Sequence, residues 1–98
     1  MYRIIWAYAV KPATEAEFAR IYCRDGEWAQ LFRKAEGYEG TSLLRDMDEA
    51  GRYVTIDRWR SRDDFEQFRE TFKGEYRALD ARCDALTDRE QMVGDFET

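Results

Sequence analysis

Histidine and asparagine are absent from this 98-residue chain, proline occurs once and cysteine twice. Without histidine, no Ser-His or Cys-His nucleophile pair can be assembled, and a metal site loses one of its main ligands. The cysteines, Cys23 and Cys83, are far apart in sequence and both fall in helix-like stretches. They read as small buried hydrophobes rather than as a disulfide. No glycine-rich phosphate loop, linker, long repeat or low-complexity tract is present. There is no basic block either: Lys and Arg are interspersed with Asp and Glu, and the net charge is -5. Nucleic acid and anionic membrane surfaces are therefore excluded as partners, and no apolar run is long enough to span a bilayer. Met1 leads straight into a strand-like pattern with no basic n-region and apolar h-region, so a cytoplasmic protein without a signal peptide is expected.

Aromatic residues are what the chain has in abundance: three Trp, six Tyr and six Phe. They bring large buried area and, in Tyr and Trp, a polar end. That suits one small domain over residues 1–98 with a core and a pocket or an interface. Residues Tyr2 to Val10 alternate, with Tyr2, Ile4, Trp6, Tyr8 and Val10 on one face and Ile5, Ala7 and Ala9 on the other; both faces are apolar, which implies cover on both sides. Thr14 with Glu17 predicts a capping box, and Phe18, Ile21 and Tyr22 follow at helical spacing. After Asp25-Gly26 a second helical piece carries Trp28, Leu31 and Phe32, closed by Gly37.

Tyr38 to Asp46 and Tyr53 to Arg60 read as a hairpin about Asp48, Glu49 and Gly51. In its second strand Val54, Ile56 and Arg58 share one face and Tyr53, Thr55, Asp57 and Trp59 the other. Ser61 with Asp64 caps a helix with Phe65, Phe68 and Phe72 on one side. A break is expected at Gly74, then a helix from about Glu75 to Leu86 and a short strand over Gln91 to Glu97. The order strand, helix, strand, strand, helix, strand predicts an α+β, ferredoxin-like split βαβ domain: a four-stranded antiparallel sheet with helices on one face. The bare apolar face then calls for a second copy and a homodimer.

Glu36-Gly37-Tyr38-Glu39-Gly40, Leu43-Leu44-Arg45-Asp46, Tyr53 to Trp59 and Ser61 with Phe65 resemble the antibiotic biosynthesis monooxygenase domain of the dimeric α+β barrel superfamily, over nearly the whole chain. That resemblance implies a homodimer in which two sheets form a barrel, with a pocket between helices and sheet in each subunit. It implies one of two chemistries: oxidation of polycyclic phenols by O2 without metal or flavin, or heme degradation. The second needs a Trp, an Asn and an axial His. Trp59 matches the Trp, but Ile5 falls at the Asn position and Tyr76 at the His position, leaving heme held by Tyr76 as a minor alternative.

A cofactor-free oxygenase acting on an aromatic or polyketide-like substrate is thus the leading reading, with no cofactor and no metal. It needs a dry pocket, a proton acceptor and a group that stabilises an oxyanion. Asp57 is the candidate base, with Trp59 and Tyr76 beside it as catalytic residues; Tyr53, Arg58 and Phe72 are candidate substrate contacts. Plainer readings stand beside these. Trp59 and Tyr76 are packing aromatics, Asp57 pairs with Arg58 or Arg45, Phe72 belongs to a core stripe, and Asp80 with Asp84 is a solvated helix face. A noncatalytic, homodimeric domain binding a small apolar ligand is the alternative function.

Overall fold

A computed structural model describes residues 1–98. Four strands form one antiparallel sheet: β1 (Tyr2–Val10), β2 (Tyr38–Arg45), β3 (Arg52–Trp59) and β4 (Thr87–Glu97), in the order β2-β3-β1-β4. Helices α1 (Glu15–Tyr22), α2 (Glu27–Phe32), α3 (Arg62–Thr71) and α4 (Lys73–Cys83) cover one face of it. This is the expected ferredoxin-like α+β architecture.

The alternation read from β1 and β3 places the core. Tyr2, Ile4, Tyr8 and Val10 from β1, with Tyr53 and Trp59 from β3, turn toward the helices and are buried. The helices answer with Phe18, Ile21, Tyr22, Trp28, Leu31, Phe32, Phe68 and Leu79. Much of this core is ring against ring. Phe18 and Tyr22 stack at 4.1 Å, and Tyr8 meets each edge-on at 5.2 Å. Such pairs add stabilisation of about 0.5–1.5 kcal/mol each beyond the area they bury.

Several local expectations change. Thr14 does not cap α1: its hydroxyl donates to the carbonyls of Lys11 and Leu86. The residues before it form a 3-10 turn, Pro12–Thr14, and that hydroxyl ties the turn to the end of the second half. Ser61 does cap α3, accepting from the Asp64 amide at 3.1 Å, while Arg60 holds the Asp64 carboxylate in two hydrogen bonds. The break between α3 and α4 falls at Phe72 rather than at Gly74, which lies inside α4. Phe72 leaves helical geometry (φ -109°, ψ 30°), although its N–H still reaches the Phe68 carbonyl. α4 also stops at Cys83 and tightens into a 3-10 turn, Asp84–Leu86.

β4 is the longest strand, not a short one. Its first half, Thr87 to Gln91, is polar and carries no apolar alternation. Pairing with β1 extends it, from Thr87 opposite Val10 to Glu97 opposite Tyr2. An edge strand with one free side tolerates this polarity.

Two glycines in helical surroundings have opposite demands. A Cβ on Gly26, at the start of α2, would lie 2.2 Å from the Ile21 carbonyl oxygen and 2.6 Å from that of Arg20. A Cβ on Gly74 meets nothing within 4 Å. Gly26→Ala is therefore expected to destabilise the fold by about 1–3 kcal/mol through overpacking against backbone. Gly74→Ala should stabilise it by roughly 0.5–1 kcal/mol by improving helix propensity. Urea midpoints of the two variants check both signs.

Candidate active site

The helix-facing side of β3 is not wholly apolar. Between Tyr53 and Trp59 it presents Thr55 and Asp57, both buried. Cross-strand partners satisfy them. The Thr41 hydroxyl, opposite Asp57 on β2, donates to Asp57 Oδ1 at 2.7 Å. Since that hydroxyl has one proton, the Tyr38 hydroxyl 2.6 Å away donates to it in turn. On the other side Tyr8 of β1 shares a hydrogen bond of 2.9 Å with Thr55.

A cavity of about 40 Å3 lies above these groups. Its floor is Trp6, Tyr8, Thr41, Thr55 and Asp57 from the sheet. Tyr22, Trp28 and Phe32 of α1 and α2 wall it on one side. Tyr76 and Asp80 of α4 and Glu90 of β4 complete the rim. Space of this size admits a few waters or the reacting end of a larger molecule.

Two of the six residues singled out in the sequence meet here. Asp57 and Tyr76 line the cavity; Trp59, Tyr53, Arg58 and Phe72 do not. Trp59 is completely buried two residues along β3, packed at 5.3–5.6 Å against Tyr38, Phe65, Phe68 and Phe32. Its position is that of a core aromatic. Tyr53 is buried against Phe18 at the far end of the strand. Phe72 rests on Phe68 over a separate surface groove. Arg58 lies on the opposite face of the sheet and donates to the Ser42 hydroxyl at 2.9 Å. Asp57 therefore makes no ion pair with Arg58 or Arg45; its neighbours are hydroxyls and rings.

That environment sets its acidity. Asp57 is only 9% exposed. Loss of solvation pushes its carboxyl from 3.8 up to about 6, against a smaller downward pull from the Thr41 hydrogen bond and from Arg58 beyond. Burial also raises the hydroxyls of Tyr8 and Tyr76, so both stay protonated donors near neutral pH. At the rim, burial and the carboxylates of Asp80 and Asp84 raise Glu90. Asp80 is exposed on α4, as a solvated helix position is, and also reaches the rim. Glu90, Thr41 and Tyr8 were not singled out in the sequence. Thr41 and Tyr8 looked like ordinary strand residues, and Glu90 lay before the expected start of β4.

The heme-degrading constellation is not assembled: Ile5 belongs to the face of β1 turned away from Tyr76. Asn and His ligands are lacking from the whole chain. Cys23 and Cys83 are both free thiols. No helix is long and apolar enough to cross a membrane.

The sequence profile of the antibiotic biosynthesis monooxygenase family matches residues 1–81. The chain belongs to that family. Among solved structures it is similar to SnoaB, a cofactor-independent oxygenase from Streptomyces nogalater, at 26% identity over 99% of this chain and 91% of that one, with a TM-score of 0.65. PA3566 from Pseudomonas aeruginosa matches at 16% identity, 99% and 92% coverage and a TM-score of 0.69. A Deinococcus radiodurans protein assigned to the same family matches at 15% identity, 100% and 92% coverage and a TM-score of 0.76. The last two likenesses are of fold. No curated protein sequence matches the chain.

The raised acidity of Asp57 has a signed consequence for stability. Its folded pKa lies above its unfolded value, so the folded state holds the proton more tightly. Its contribution to stability is complete below pH 3.8 and is lost as pH rises through about 6. Asp57→Asn should remove this loss. The variant's stability relative to the parent should rise between pH 4 and pH 7 by up to roughly 3 kcal/mol, at about 1.4 kcal/mol per pKa unit. Denaturant titrations of both proteins across that range measure the difference.

Proposed function

We propose that this protein is a homodimeric, cofactor-independent oxygenase that oxidises an aromatic or polyketide-like substrate with O2. The observation that carries this reading is the buried Asp57 carboxyl on the floor of an aromatic-lined cavity. Membership of the family and the likeness to a cofactor-independent oxygenase support it.

Oxidation of a phenol or anthrone-type ring without a cofactor begins with removal of a proton. Asp57 is the base: Oδ1 is occupied by Thr41, and Oδ2 has no donor within the protein, so it is the oxygen free to take the proton. The resulting carbanion supplies electrons to O2. One oxygen atom stays on the ring as a carbonyl and the other leaves as water, so a CH2 group becomes C=O with no external reductant. The Tyr8 and Tyr76 hydroxyls, kept protonated by burial, are the donors available to the substrate's developing oxyanion. Trp59 acts as a positioning residue, fixing the end of β3 that holds Asp57. A cavity of about 40 Å3 accepts only the reacting edge of a polycycle, so the rest of the substrate lies across the rim at Tyr76.

Purified protein should consume O2 with an anthrone, forming the quinone in equal amount. Asp57→Asn should lower kcat about 10²–10⁴-fold, the usual worth of a general base. An oxygen electrode that registers no uptake with a panel of such substrates would leave the noncatalytic, ligand-binding domain as the better account.

The homodimer uses the sheet face away from the helices. Ile5, Ala7, Ala9, Val54 and Ile56 form an apolar centre there, extended by exposed Leu44 and Phe96. Arg3 and Arg58 are cross-strand neighbours on the same face, and Arg3 Nη1 is buried without a partner. A second copy covers the first set and supplies acceptors to the second. Sedimentation should give a dimer, and Ile56→Lys, a charge placed in mid-face, should give a folded monomer.

A further inference from the structure

The wall of the cavity is one-sided in charge. Of its eleven residues six are aromatic and three are carboxylic acids, Asp57, Asp80 and Glu90; Thr41 and Thr55 complete it, and no Lys or Arg takes part. Asp57 is nine-tenths buried, and its Oδ2 accepts no hydrogen bond. Glu90 stands close enough to Asp80 and Asp84 to feel their charge. Arg69 lies outside the cavity. Its Cζ is 5.6 Å from the centre of the Tyr76 ring, over the adjoining surface groove. The carboxylates do not converge as a metal site would require, since no group of three or more Asp, Glu, Cys or His side chains is placed to hold an ion.

Rings and carboxylates around a small space, without a built-in cation, select for positive charge spread over an organic group. The negative faces of Trp and Tyr rings attract an ammonium ion, most strongly where water is excluded. A carboxylate oxygen lacking a donor accepts from the same ion, in a charge-assisted hydrogen bond. An anion would meet three carboxylates, and a neutral ligand would leave Asp57 Oδ2 unpaired whenever it is ionised. We propose that the cavity recognises an ammonium group, primary or methylated, carried by an aromatic ligand whose remainder lies across the rim at Tyr76. The proposal rests on the cavity being the ligand site and does not depend on oxygen chemistry.

The test compares ligands of one shape and different charge. 2-Phenylethylammonium, 2-phenylethanol and 3-phenylpropanoate are titrated into the full-length protein at pH 7.5, followed by calorimetry and tryptophan fluorescence. The ammonium compound should bind at least tenfold more tightly than the alcohol, and the carboxylate should not bind measurably. Asp80→Asn and Glu90→Gln, both at exposed positions where folding is not at risk, should each weaken the ammonium compound several-fold and leave the alcohol unchanged. Equal affinity for ammonium and alcohol, no binding of either at millimolar concentration, or ammonium binding indifferent to both substitutions would overturn the proposal. Oxygen uptake with uncharged anthrones is measured on the same samples. Uptake without ammonium preference sinks this inference and leaves the oxygenase reading intact; ammonium preference without uptake does the reverse.

Discussion

A carboxyl group buried in a layer of aromatic rings is the constraint around which this small domain is arranged. Leaving such a group without partners would cost several kcal/mol. The sheet meets that cost locally: Thr41 of β2 donates to Asp57, and Tyr38 donates to Thr41. The chain of hydroxyls satisfies one oxygen and leaves the other without a donor. The same residues therefore explain why the core tolerates Asp57 on the floor of the cavity.

Around that space the packing divides into two parts. Trp59 with Phe32, Phe65, Phe68 and Tyr38 is a closed cluster in which the indole has no contact with solvent. Tyr8, Tyr22, Trp28 and Tyr76 form a more open set, walling the cavity with their rings. Phe32 touches both, and so joins the fixed end of β3 to the wall of the site. Loss of Trp59 would be felt at Asp57 through this cluster, since the two share one face of one strand. Resemblance to the family made Trp59 look like a partner in chemistry; its burial makes it a support.

Period-two alternation in β1 and β3 was enough to assign both faces of the sheet, because those central strands are buried on the helix side and any slip would reverse every side chain. Asp57 was legible as a carboxyl on the inward face of a strand, and Tyr76 through the family resemblance, at the position of the axial His. What was not legible came from pairing between distant segments. Thr41 becomes a donor only because register sets it opposite Asp57. Glu90 joins the rim only because β1 extends β4 back to Thr87. Thr14 looks like a cap until the Leu86 carbonyl, 72 residues away in sequence, takes its proton. Local spacing carries no trace of such partners.

The position of Asp57 also bears on how a carboxyl can act as a base toward a weak acid. A carboxyl at 3.8 faces a phenol-like group near 10 across a gap of about six units. Raising it to about 6 removes roughly two of them, and so about 3 kcal/mol of the uphill proton transfer. On the proposed chemistry the transfer moves one negative charge from Asp57 to the substrate, and the charge within the cavity does not grow. Asp80 and Glu90 at the rim still oppose an anion on the substrate. Protonated Tyr8 and Tyr76 offset part of that opposition, and a cation carried by the ligand would offset more. The acidity of the floor, the sign of the rim and the charge of the ligand are thus one coupled electrostatic problem, because all of them act across the same few ångströms of low-dielectric space.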